Sequence, residues 1–303
     1  MPATSGNKPS DGPICTVVPV PVLGGERRTY SGFAQPFAAH SHGYYVIGRV
    51  RQGSRILELN RRALHIGPGD LVVFNPGDVH GCSHNGEELF AFDSVTIASE
   101  KLDSATLAYP NSDAMDAGEA FEALMEALDG SIDEEVMERA LYLASLLESE
   151  IDDPRPVAAH DDAVLHTYAH LLGHLAEPVS VKELAAAEGI SEYALIRAYC
   201  RRFSITPIQH LASLRVECAC ELLAQGAAPS GVAAQAGFAD QAHLTRTFKQ
   251  RLGTTPAAYR KMTSRNPRTG GITPVSSSPH SYGAPHLHHK EASSGFLGEP
   301  SEP

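Results

Sequence analysis

The amino-acid sequence predicts a multidomain chain: an all-β barrel, an acidic helical connector, and an all-α domain built from two helix-turn-helix units. Three observations predict it. Residues 14–100 alternate short runs rich in Val, Ile, Phe and Tyr with tight turn clusters. Residues 103–162 hold 17 acidic and 2 basic side chains, a net charge of -15. Residues 163–262 contain an internal duplication at an offset of 48–49 residues. A chain of 303 residues is long enough for two separate cores.

In the first segment, Leu23-Gly24-Gly25, Gly67-Pro68-Gly69-Asp70 and Asn75-Pro76-Gly77-Asp78 break β-prone runs at the spacing of a sandwich or barrel. In the connector, Phe121, Leu124, Met125 and Leu128 recur at helical spacing, and Val136, Ala140, Leu143 and Leu147 repeat the rule. Helices are therefore expected over 117–151. Residues 152–162, with Pro154 and Pro156, read as a linker. Residues 263–303 are Ser, Pro, Gly and His without periodicity and are expected to be a disordered tail.

The formal net charge is -12, which argues against a polyanionic partner only until it is divided by segment. Residues 1–102 are neutral and residues 163–262 carry +3. The acidity belongs to the connector, so total charge says little about the helical domain. No run of 18 apolar residues exists, so no membrane-spanning helix is expected. The polar Met1 to Pro13 lacks a secretory apolar region, and five irregularly spaced cysteines do not form a disulfide framework. A reducing, cytoplasmic setting is the expectation. No GxSxG, HExxH, P-loop or dinucleotide fingerprint occurs, so neither catalytic residues nor a cofactor is expected.

The duplication carries the most information. Leu184-Ala185-Ala186-Ala187-Glu188-Gly189-Ile190 matches Val232-Ala233-Ala234-Gln235-Ala236-Gly237-Phe238, and Leu195-Ile196-Arg197 matches Leu244-Thr245-Arg246. Each copy reads as a short helix, a Gly-containing turn and a longer helix. Ser180 to Glu183 forms a capping box, Pro229 falls at a helix start, and Ser191 and Asp240 are natural N-caps for the longer helices. Leu195, Tyr199 and Phe203, repeated as Leu244, Phe248 and Leu252, form inward stripes.

The opposite faces carry Tyr193, Ile196, Arg197 and Arg201 in the first copy, and Gln241, Ala242, Thr245, Arg246 and Lys249 in the second. A helix–turn–helix places its second helix in the major groove of DNA. There Arg pairs with guanine, Gln reads adenine, and small apolar groups touch the thymine methyl. Arg201, Arg202, Lys249, Arg251, Arg260 and Lys261 are placed to hold phosphates. Two solvated amphipathic hairpins are the competing reading; two copies with glycines and caps in register weigh against it.

Gly237-Phe238-Ala239-Asp240-Gln241-Ala242-His243-Leu244-Thr245-Arg246, with Phe248, Gly253-Thr254-Thr255-Pro256 and Tyr259-Arg260, resembles the signature of AraC/XylS-type transcriptional regulators. Leu211 to Leu223 resembles that family's central helix between two helix-turn-helix units. The resemblance covers about residues 164–262. It implies that Tyr193, Ile196 and Arg197 are the first recognition positions and that Gln241, Ala242, Thr245 and Arg246 are the second. Two positions depart from the pattern. Ser204 stands where the family has a helix-terminating Gly, and Ile196 stands at a commonly polar position.

In the β segment, His40-Ser41-His42 and the stretch from Gly67 to His80 resemble the two halves of a cupin signature, so the barrel is expected to be cupin-like. His40, His42 and His80 have three competing uses: a metal site, the lining of an effector cavity, or bonds to loop backbone. The Glu that a metalloenzyme cupin carries soon after the second His is replaced by Val46 and Ile47, and no metal is expected. For an effector, His40, His42, Tyr44 and His80 are the lining candidates, with Arg49 as an anion partner. His166, His170 and His174 share one helix face and read as a solvated or packing face.

The expected protein is a sequence-specific DNA-binding transcriptional regulator whose cupin-like domain senses a small-molecule effector. Its expected partners are double-stranded DNA, that effector, a second copy of the chain, and RNA polymerase if it activates. A metal-dependent cupin enzyme with an appended helical module is the alternative, and an adaptor using the acidic helices is a third class.

Overall fold

A computed structural model describes residues 13–84, 88–103, 105–108, 115–130, 132–149 and 160–263. The polar N-terminus, most of the linker and the tail lie outside these residues. Among the described residues, nine strands form two antiparallel sheets. The five-stranded sheet orders β1 (Ile14–Val20), β2 (Gly25–Phe33), β9 (Phe90–Ala98), β4 (Tyr44–Gln52) and β7 (Leu71–Phe74). The four-stranded sheet orders β3 (Phe37–His40), β8 (His80–His84), β5 (Arg55–Leu59) and β6 (Arg62–Ile66).

The large sheet is buried on both faces, which explains its apolar runs. Along β4, Val46 and Val50 point between the sheets with Tyr30, Phe33, Leu57, Val72 and Phe74. Tyr45 and Ile47 point the other way, as do Leu71, Val73, Val95 and Ile97. That outer face is covered by α1 (Met115–Ala127) and α2 (Asp133–Leu147), whose Phe121, Leu124, Leu143 and Leu147 join the same core. The acidic helices therefore pack on the barrel as part of its hydrophobic unit. Their charge lies on the remaining faces, and Glu122 there bonds Arg49 and Arg51.

The helical domain comprises α3 (Asp161–Gly173), α4 (Val181–Ala187), α5 (Glu192–Phe203), α6 (Pro207–Ala224), α7 (Pro229–Gln235), α8 (Gln241–Leu252) and α9 (Pro256–Thr263). The helix-turn-helix pairs are α4–α5 and α7–α8. The caps fall where the sequence puts them. Ser191 Oγ accepts the Ala194 N–H at 3.2 Å, and Asp240 Oδ1 accepts the His243 N–H at 2.6 Å. Ser180 Oγ accepts from the Glu183 N–H at 3.4 Å. That is one half of the capping box expected at Ser180–Glu183; a full, reciprocal box opens α6 instead, where Thr206 and Gln209 exchange bonds.

Each unit has its own core on one side of α6. Leu195, Tyr199, Leu211 and Leu214 belong to the first, and Ala219, Leu223, Leu244 and Phe248 to the second. The second turn requires glycine. Gly237 sits at φ +77°, and a Cβ there would lie 2.0 Å from the Leu175 carbonyl oxygen.

The two domains touch. β1 packs against α9, and β3 against α8 and α6. The Tyr259 hydroxyl donates to Glu26 Oε2 at 2.8 Å across the interface.

Candidate nucleic-acid interface and effector cavity

On α5, Tyr193 is 73% exposed, Arg197 and Arg201 are exposed, and Ile196 is half-buried. On α8, Gln241, Ala242, Arg246 and Lys249 are exposed. Thr245 is half-buried, with its hydroxyl donating to the Gln241 carbonyl at 2.8 Å. Both helices begin with a side-chain cap and carry Arg197 and Arg246 at matching exposed positions of their outward faces.

Arg251 requires a correction. Expected on the phosphate-facing surface, it is buried, at 8% exposure. It donates to Ser213 Oγ at 2.7 Å and to the Gln209 carbonyl at 3.2 Å. Burial without a carboxylate partner lowers its pKa to about 10. Its guanidinium faces the barrel instead of solvent.

Between the two sheets lies a cavity of about 100 Å³. Its walls are apolar, with Tyr30, Phe37, Leu57, Phe74, Phe90 and Phe92. One end is polar: His40, His42, His80, Ser94 and Arg28 come from the barrel, and Arg251 and Leu252 of α8 close it. His40 and His80 have ring centroids 4.3 Å apart, and His42 and His80 4.8 Å. Each histidine places Nδ1 against a backbone carbonyl: His40 on Ala38 at 2.8 Å, His42 on Tyr44 at 2.8 Å, and His80 on Asp78 at 3.1 Å. The carbonyl partner assigns the proton to Nδ1, so each Nε2 is an acceptor. Burial holds all three imidazoles below the ordinary histidine pKa, with His80 near 4. His42 Nε2 is buried and has no hydrogen-bond partner.

The other two effector candidates fall elsewhere. Tyr44 stands behind His42, their rings stacked at 4.3 Å, and lines a neighbouring cavity. Arg49 is corrected outright. It lies on the helix-facing side of β4 and donates to Glu122 Oε1 at 2.6 Å, with no access to the histidines. The cavity's own barrel guanidinium is Arg28, paired through Nε with Glu26 Oε1 at 2.6 Å. Strand parity could have found it. Arg28 is in phase with the inward Tyr30, whereas Arg49 is in phase with the outward Tyr45 and Ile47.

Among the described residues, no group of three or more His, Cys, Asp or Glu side chains is arranged to hold a metal ion. His166 contacts Glu188 at 3.1 Å, and His170 stacks on His174. No helix among the described residues is long and apolar enough to cross a membrane.

A β-barrel with an internal cavity, joined to paired helix-turn-helix units with exposed outward faces, defines the class of ligand-binding, DNA-binding regulators. A family model described as the AraC-like ligand binding domain matches residues 23–145, and one described as a helix-turn-helix domain matches residues 184–262. The chain is 31% identical over 235 residues to the uncharacterized HTH-type transcriptional regulator YbfI of Bacillus subtilis, covering 72% of this chain and 85% of that one. It is 26% identical over 225 residues to the MmsAB operon regulatory protein of Pseudomonas aeruginosa, covering 70% and 71%. An apo structure of a ToxT variant from Vibrio cholerae shares the fold, with a TM-score of 0.52 at 14% identity over 79% of this chain and 98% of that one. The chain belongs to the AraC family of transcriptional regulators. These findings favour a DNA-binding regulator with a ligand-binding domain over the enzyme alternative.

Proposed function

We propose that this regulator binds a small, largely apolar effector with a hydroxyl or N–H head group in the barrel cavity, and reads its operator through α5 and α8. The orphaned Nε2 of His42 carries the effector assignment. A buried acceptor without a partner costs about 1–3 kcal/mol, which a ligand donor recovers. His40 and His80 offer two further acceptors beside it, and the aromatic walls accept the hydrocarbon part.

On DNA, Tyr193, Ile196, Arg197, Gln241, Ala242, Thr245 and Arg246 contact base edges, and Arg201 and Lys249 contact phosphates. The two helices enter successive major-groove segments about 34 Å apart. The chain acts in the cytoplasm as a homodimer, and contacts RNA polymerase where it activates. Leu141, Tyr142 and Leu146, exposed on α2, support a dimer contact outside the barrel core. The name of the Pseudomonas relative, an operon regulatory protein, supports control of a promoter.

Selection from random duplexes gives the operator. Arg246→Ala then costs about 1–3 kcal/mol at that site and relaxes preference at one base pair. Unchanged affinity and unchanged preference would overturn the assignment of α8. A melting-temperature screen of hydroxylated aromatic and aliphatic compounds on the full chain, repeated with His42→Ala, tests the cavity.

A further inference from the structure

A second cavity, of about 160 Å³, lies between the domains and shares Arg28 with the histidine cavity. Strands β1, β2, β4 and β9 form one wall, and α6 and α9 form the other. Four carboxylates line it (Glu26, Glu100, Glu217 and Glu221) against the single guanidinium of Arg28. Glu26 is already used, because it accepts from Arg28 and from the Tyr259 hydroxyl. Glu217 is bonded on one side alone, accepting from the Gly43 backbone N–H. Its Oε1 is buried and has no hydrogen-bond partner. Glu221 lies one turn further along α6, on the same face and at the exposed rim. The rest of the wall is mainly apolar, including Pro19, Ala98 and Ala224.

We propose that this cavity is a second ligand site, specific for a small organic ammonium ion. Its charged head sits between Glu217 and Glu221, and its hydrocarbon body lies on Pro19, Ala98 and Ala224. A neutral alcohol of the same shape can share a hydrogen bond with the Glu217 carboxyl but gains no ion pair, and a carboxylate adds a like charge to a wall already lined by four carboxyl groups. The site is built by both domains, so its occupant favours their docked arrangement over any separated one.

The titration of Glu217 agrees with this geometry. Burial and the neighbouring Glu221 push it up to about 8, so the empty site holds it mostly protonated at neutral pH. The groups around it are Glu26 and Arg28 on β2, Tyr44 on β4, Tyr168 on α3, Cys220 and Glu221 on α6, Arg251 on α8 and Tyr259 on α9. Arg28 is paired with Glu26, and Arg251 bonds Ser213 and Gln209. Neither guanidinium bonds the Glu217 carboxylate. An arriving ammonium ion favours its ionised form, and the carboxyl proton passes to the buffer.

Isothermal titration of the full chain at pH 7 with isopentylamine tests the site, with isopentanol and isocaproate as neutral and anionic isosteres. Saturable heat is expected from the amine alone, and its size should vary with the ionisation enthalpy of the buffer as the proton leaves. Glu217→Gln should weaken binding roughly tenfold or more, and Glu221→Gln, at the rim, by a few-fold. Glu119→Gln, exposed on α1 and away from both cavities, should leave it unchanged. No saturable amine heat, equal binding of the alcohol, or full amine binding by both Glu217→Gln and Glu221→Gln would overturn the proposal. If Glu217→Gln fails to fold, Glu221→Gln and the buffer dependence still decide it.

Discussion

Arg251 lies seven residues after Leu244 and three after Phe248, the two positions that anchor α8 in its core. On a helix that spacing places it on the inward side, so its burial follows from the same stripe that predicts Leu244 and Phe248. Reading it as a phosphate contact gave charge priority over phase. Arg251→Ala should therefore lower unfolding stability by about 1–3 kcal/mol, through the loss of its bonds to Ser213 and Gln209. It should leave the salt dependence of DNA binding untouched, whereas Lys249→Ala should reduce that slope by about one. Equal salt slopes for the two variants would refute the distinction. Arg49 repeats the lesson on a strand, one parity step from the cavity. The cavity histidines were legible because the motif fixes which loop and strand ends face each other. Arg28 and the aromatic walls were not, because strand phase becomes informative only once the two faces of the large sheet are told apart.

At the scale of elements, the paired helix-turn-helix units were legible nearly to the residue, because caps, proline and glycine mark helix ends chemically. The helices over 117–151 were legible as helices but not as partners of the sheet. The signal was the double-sided burial implied by Tyr45-Val46-Ile47 and Leu71-Val72-Val73-Phe74, since such runs need a cover on each face. The two recognition helices end differently. Gly253 and Ser204 both close their helices in the left-handed region, at φ +68° and +60°. Glycine adopts it freely and serine at a cost. Ser204→Gly should stabilise the first unit by roughly 0.5–1 kcal/mol, read as a higher urea midpoint with an unchanged slope. A lower midpoint would mean that the serine makes a compensating contact.

At the scale of the whole molecule, four imidazoles among the described residues are held neutral by burial. His40 and His42 lie below the usual range, and His80 and His210 are near 4. In the unfolded chain they titrate near 6.5. Between about pH 6.5 and 4 the unfolded state binds more protons at these sites, so they remove stability as pH falls. Glu217 and Glu221, raised by burial, act in the opposite sense, because the folded state holds their protons first. Four groups against two set the direction. The full chain should lose stability from pH 6.5 downward, and His80→Gln should flatten the loss by up to about 1.4 kcal/mol per pH unit. Stability constant from pH 7 to 5 would contradict the buried, neutral assignment.

The closure of the barrel cavity by the last turn of α8 bears on how such a molecule can be recombined. The cavity is not a property of the barrel alone, since Arg251 and Leu252 supply part of its wall and Gly253 lies against Phe33 and Phe37. A chimera that grafts a different helical domain onto this barrel also exchanges that wall. Transplanting binding specificity from one such chain to another therefore means carrying the last turn of the recognition helix along with the strands.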